Sequence, residues 1–129
     1  MSQILLTEDD ASVRAFVKRA LELDGHAVTT AEDGGEAAEI LDARAGEFDL
    51  LVSDIMMPVM DGIALALRTA RDHPDVTILL MTGFADQRER AHGLDALVHD
   101  VVSKPFSLTE IRQAVAGALL SRRDRRMAG

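Results

Sequence analysis

The sequence predicts an α/β fold, a parallel five-stranded sheet with helices on both faces. Two observations carry this. Short apolar runs alternate along the chain with segments whose apolar residues recur at helical spacing, which is the pattern of successive β-α units. The short runs are also apolar at consecutive positions, as strands covered on both sides must be. The chain has 129 residues, one domain's length, and can bury roughly two-thirds of its unfolded surface without a staple.

Ile4-Leu5-Leu6 is the first strand. Val13, Phe16, Val17, Ala20 and Leu21 follow with helical spacing, and Gly25 is placed to close that helix, because a residue without Cβ accepts the left-handed conformation common there. Residues 27–31 form a second strand. Asp33-Gly34 starts a second helix, with Ala37, Ile40 and Leu41 inward and Gly46 after it. Leu50-Leu51-Val52 is a third buried strand. Met57-Pro58 interrupts regular structure, and Asp61-Gly62 reads as a turn and helix start rather than chemistry. Ile63, Ala66, Leu67 and Ala70 take the inner side of that helix, and Pro74 stops it. Residues 77–81 are the most apolar segment and read as a central strand. Residues 86–97 make the weakest helix, with Arg88, Glu89, Arg90 and His92 polar and Gly93 costing about 1 kcal/mol relative to Ala. Val101-Val102 is the fifth strand. Ser107 with Glu110 forms a capping box, and Leu108, Ile111, Val115 and Leu119 line the last helix.

Composition removes several classes of function. There is no cysteine, so thiol catalysis, cysteine-ligated zinc and disulfides are out. Fourteen basic against 22 acidic residues give a net charge of −8, which argues against nucleic acid as a partner, since phosphates need a basic face. Four Phe with no Trp or Tyr supply few stacking platforms. His26, His73, His92 and His99 are scattered without ligand spacing, against a histidine metal site. The N-terminus has no basic segment followed by a long apolar run, so no signal peptide is expected. No stretch approaches the roughly 20 apolar residues of a membrane span. The expectation is a cytoplasmic monomer.

Sites in such sheets lie beyond the carboxyl ends of the strands, near the point where strand order reverses. The residues there are Thr7-Glu8-Asp9-Asp10, Ser53-Asp54, Thr82-Gly83 and Ser103-Lys104-Pro105. Several carboxylates at one sheet edge repel unless a cation, a proton or solvent compensates them. Magnesium suits this set, because it takes one or two carboxylates and keeps several waters. Glu8, Asp9 and Asp54 are the candidate cage, and Asp10 reads as a helix cap. Lys104 offers a point charge for a carboxylate or phosphate oxygen. The proline after it disfavours helix there, and a cis bond would aim the ammonium into the pocket. Thr82 adds a hydroxyl for an incoming anion. A nucleophile, a metal, a fixed cation and a hydroxyl together describe a phosphoryl-transfer site.

Glu8-Asp9, Asp54, Thr82 and Lys104-Pro105 stand in the order and spacing of the receiver domains of two-component response regulators, and residues 54–58 with Asp61-Gly62 resemble their loop after the third strand. The resemblance covers residues 4 to about 120. It implies the flavodoxin-like (βα)5 order 2-1-3-4-5, with residues 1–121 as the receiver and 122–129 as a short basic tail. It also implies that Asp54 accepts a phosphoryl group, with magnesium held by Asp9, Asp54 and the backbone carbonyl of Met56, and Glu8 acting through water. Thr82 and Lys104 would bind phosphoryl oxygens. Many receivers carry an aromatic three residues before the lysine, where this chain has Val101; Phe84 or His99 would then be the side chain displaced in a switch.

No output domain follows, so a single-domain regulator acting through a protein contact is expected. Residues 85–94 and 99–106 are similar to CpdR-type regulators of alphaproteobacteria. That similarity implies phosphate delivered by a histidine phosphotransfer protein or histidine kinase. It further implies an unphosphorylated form that primes ClpXP, through ClpX, to degrade cell-cycle substrates, with recruitment to a cell pole through the partner. The expected signalling face comprises residues 86–97 with Arg88 and Arg90, residues 98–103 and the last helix. A phosphate shuttle or sink, and control of another partner such as a kinase, are the alternatives. The receiver reading implies no enzyme beyond its own aspartyl phosphorylation and dephosphorylation. A small phosphatase using Asp54 typically needs a second acid where Met56 stands. A flavin or nucleotide carrier would need a phosphate loop where Glu8-Asp9-Asp10 stands. The tail carries four Arg and one Asp, net +3, so the remainder holds −11 of the total −8. A solvated helix end with Arg favouring the dipole accounts for it.

Overall fold

A computed structural model of the chain describes residues 2–83, 91, 93, 94 and 96–128, with side chains through Asp124. In chain order the elements are β1 (Gln3–Thr7), α1 (Ala11–Leu23), β2 (Ala27–Ala31), α2 (Gly34–Ala43), β3 (Leu50–Asp54), α3 (Gly62–Asp72), β4 (Thr77–Thr82), β5 (Asp100–Ser103) and α4 (Leu108–Ala128). The helix expected over 86–97 falls largely outside the described residues, and so do Phe84, Arg88, Arg90 and His92.

The sheet is parallel with order β2-β1-β3-β4-β5, as the flavodoxin-like expectation required. β3 is the centre strand. β4, read as a central strand, is interior to the sheet beside it and equally buried along its whole length. Side-chain alternation sorts the core into two layers. Ile4, Leu6, Leu50, Val52, Leu79 and Met81 meet Val17 and Leu21 of α1 and Ile111 and Val115 of α4. Leu5, Leu51, Ile78 and Leu80 meet Ala37 and Leu41 of α2 and Leu65 of α3. Right-handed crossovers require this division, because the chain steps one way from β1 to β2 and the other way thereafter. Each fully buried Leu or Ile contributes about 2 kcal/mol through burial.

Local signals set the helix boundaries. Asp10 caps α1, accepting from the Ser12 and Val13 N–H groups at 2.8 and 3.1 Å. Gly25, with φ +84°, turns the chain after it. Asp33 and Asp61 cap α2 and α3. The Ser107–Glu110 capping box is reciprocal, with both bonds at 3.0 Å. The inner face of α3 follows the expectation at Ala66, with Ile63 and Ala70 packed partly buried against the core, and departs from it at Leu67. Gly62, Leu65, Ala66 and Thr69 are buried, while Leu67 is exposed. The buried stripe is rotated because Gly62 packs directly on the end of β3. Among the described residues no helix is long and apolar enough to cross a membrane.

Candidate functional site

The sheet's carboxyl edge is where the strand order reverses, between β1 and β3. Glu8 leaves β1 there, its N–H bonded to the Ala31 carbonyl of β2 at 3.1 Å. Asp54 is the last residue of β3, and its Oδ1 accepts from the Ile55 N–H at 3.0 Å. Thr82 ends β4 and is buried. Lys104 follows β5, its N–H bonded to the Thr82 carbonyl at 2.7 Å, and its bond to Pro105 is cis. Parallel register thus delivers residues from distant sequence positions to one edge.

Glu8, Asp9 and Asp54 each offer a carboxylate oxygen, all within 4.8 Å of one another. Lys104 Nζ lies 3.1 Å from Glu8 Oε2 and 3.3 Å from Asp54 Oδ1. Glu8 is buried, and its pKa is raised from 4.5 to about 7, first by burial and next by Asp54, with Lys104 pulling the other way. Burial also raises the Asp54 carboxyl, again against Lys104. One lysine therefore does not balance the negative charge gathered here. Closely set carboxylate oxygens with charge to spare suit a hard divalent cation, so this donor set fits magnesium.

The loop after Asp54 is folded tightly back on it. The Gly62 N–H bonds the Ile55 carbonyl at 2.7 Å, and the Ile55 N–H bonds the Met81 carbonyl at 3.0 Å. A Cβ on Gly62 would stand 2.2 Å from the Asp54 carbonyl oxygen, and one on Gly34 would stand 2.1 Å from that of Met60. Backbone approaches this close need glycine. Met57 is buried beneath the loop and Met56 points outward. Val59 holds φ +70°, uncommon for a β-branched residue.

The structure therefore brings together Glu8, Asp9, Asp54 and Lys104, with Thr82 on the same edge and Met56 in the adjoining loop. Val101 is half-buried on β5, packed against the α2–α3 layer. The family resemblance implies a water-mediated role for Glu8 toward a metal, and in the structure its carboxylate pairs directly with Lys104, 96 positions away. Sequence reading missed Arg14, whose Nη1 donates to the Glu8 carbonyl at 2.8 Å. Its place one helical turn after the Asp10 cap was the available signal.

A five-stranded parallel sheet in the order β2-β1-β3-β4-β5, with acids, a lysine and a threonine at its carboxyl edge, is the arrangement of a flavodoxin-like receiver domain. Residues 4–116 match the response regulator receiver domain, and the chain belongs to that family. It is 39% identical over 121 residues to the response regulator receiver protein CpdR of Brucella abortus, covering 94% of this chain and 99% of that protein. It is 36% identical over 112 residues to the sensor kinase CckA of Brucella abortus, covering 87% of this chain but 12% of the kinase. The response regulator TrrA of Thermotoga maritima, solved in complex with Mg(2+)-BeF, superposes with a TM-score of 0.81 at 28% identity, covering 92% of this chain and all of that one.

Proposed function

We propose that this chain is a phospho-acceptor switch in which Asp54 receives a phosphoryl group from a phosphohistidine donor. The observation that carries the reading is the convergence of Asp54, Glu8 and Lys104 within ion-pair distance on an edge that also gathers Asp9 and Thr82. Asp54 would attack in line as the carboxylate, forming an acyl phosphate while the imidazole leaves. Magnesium on Asp9, Asp54 and the Met56 carbonyl would neutralise charge on the transferring group. Lys104 binds a phosphoryl oxygen and Thr82 donates its hydroxyl to another. Glu8 keeps Lys104 in place and would act on the metal through water.

The donor is a histidine phosphotransfer protein or a histidine kinase, and the output is a changed protein contact. Similarity to CpdR over nearly its whole length favours a CpdR-like role, with ClpX-directed proteolysis as the downstream process, over a phosphate shuttle. The signalling surface is assigned to residues 86–103 and α4, with Phe84, Arg88, Arg90 and Val101 taking part. The test is addition of magnesium and beryllofluoride, a phosphoryl mimic. The account expects amide shifts at Asp54, Thr82 and Lys104 that spread to residues 98–106, and altered capture of ClpX by the loaded form. Shifts confined to the loop after β1 would refute the switch, and equal ClpX capture in both states would refute the output.

A further inference from the structure

Arg14 belongs to none of the strand ends, yet it grips the backbone of the acid cluster. Its N–H continues α1 from the Asp10 carbonyl at 2.9 Å. Its Nη1 donates to the Glu8 carbonyl at 2.8 Å, and its Nη2 lies 3.6 Å from Glu32 Oε1 in the turn after β2. The side chain is only 18% exposed, against 72% for Glu32. The Glu8 N–H is held by Ala31, so Glu8 is fixed at both its N–H and its carbonyl. On the other side of Asp9, Asp10 is fixed as the helix cap. Asp9 is thus suspended between two anchored neighbours. The peptide joining Glu8 to Asp9 carries the carbonyl that Arg14 holds. Rotating that peptide, which would swing the Asp9 carboxylate out of the cluster, has to break the contact.

We infer that Arg14 is a positioning residue for cation binding, holding the Glu8–Asp9 peptide so that Asp9 stays convergent with Glu8 and Asp54. The inference rests on reading that cluster as a magnesium site. Its sign separates it from simple electrostatics. A guanidinium near a divalent site repels the metal, so deleting the charge alone would tighten binding. Losing the positioning contact would weaken it. The exposed ion pair with Glu32 adds little of its own.

The experiment is magnesium titration of the unphosphorylated protein, followed by amide NMR, for the unaltered chain, Arg14→Ala and Arg14→Lys. Partners that orient metal ligands contribute about 10- to 100-fold in metal affinity, and at the lower end Arg14→Ala binds magnesium about tenfold more weakly. Arg14→Lys, which keeps a donor and the charge, recovers most of the loss. If Arg14→Ala fails to fold by its amide dispersion, Arg14→Met, which keeps the apolar stem, takes its place. Binding by the Ala or Met variant as tight as, or tighter than, the unaltered chain overturns the inference. So does equal weakening in Arg14→Lys. An unaltered chain that binds no magnesium overturns the metal-site reading as well, which separates the two failures.

Discussion

Among the described residues, Glu8 is a buried group whose charge the fold accommodates poorly, and its stability cost can be measured. The carboxyl is 1% exposed, and burial followed by Asp54 moves its pKa from 4.5 to about 7. One pKa unit corresponds to about 1.4 kcal/mol between protonation states, so this rise corresponds to about 3 kcal/mol. The folded chain holds the Glu8 proton more tightly than the unfolded chain does. The stability this supplies is fully present below about pH 4.5 and is lost as pH rises through about 7. Glu8→Gln keeps the shape and removes the titration. In magnesium-free urea unfolding, the stability of Glu8→Gln relative to the unaltered chain should rise by about 3 kcal/mol between pH 4.5 and 8. Taking the difference cancels the other groups that titrate in this range, apart from those that feel Glu8 directly. Saturating magnesium should shrink the difference, because the cation compensates the charge. Parallel stability curves for the two proteins across this window would refute the electrostatic account of the pocket.

Three further outcomes follow from the same geometry. Lys104→Met removes the cation that lowers the Glu8 carboxyl, so its NMR titration moves above that of the unaltered chain, and a titration at or below the unaltered chain's would count against the pairing. Charge-assisted contacts are worth roughly 1.5–3 kcal/mol, so phosphoryl gain in that variant should also slow by about ten- to a hundredfold. Gly62→Ala places a Cβ 2.2 Å from the Asp54 carbonyl oxygen. Overpacking of this kind costs about 1–3 kcal/mol, so the melting temperature falls and the amide of Ile55 shifts; an unchanged melt would mean the loop yields freely. Ser107→Ala breaks the capping box at the start of α4 and should lower stability by about 1 kcal/mol, read from the urea midpoint, while leaving phosphorylation intact.

The strands were legible because a sheet covered on both faces demands consecutive apolar residues. The stretches Ile4-Leu5-Leu6 and Leu50-Leu51-Val52 fit strands because each is too short an apolar run for a buried helix of its own. The caps were legible too, since Asp10 and Ser107 act on N–H groups two or three residues away. Glu8, Asp54 and Lys104 could be gathered from sequence because strand ends share one edge. What stayed hidden depends on contacts across the chain. The Lys104–Glu8 ion pair is set by register between strands with no local pattern. The rotation of the α3 stripe toward Leu65 and Thr69 follows from the contact of Gly62 with Asp54. Arg14 drew no reading from the sequence, because its partner is a backbone carbonyl, which no residue identity announces. Arg122, read as part of a solvated tail, bonds Asp49 at 3.2 Å and the Asp75 carbonyl at 3.2 Å at the sheet's other edge.

The most direct test of the central claim is intact mass after incubation with magnesium and acetyl phosphate, with Asp54→Asn measured alongside. The account predicts a magnesium-dependent gain of one phosphoryl group in the unaltered chain and none in the variant. A gain of equal size in Asp54→Asn, or no gain from either acetyl phosphate or a phosphohistidine donor, would contradict it.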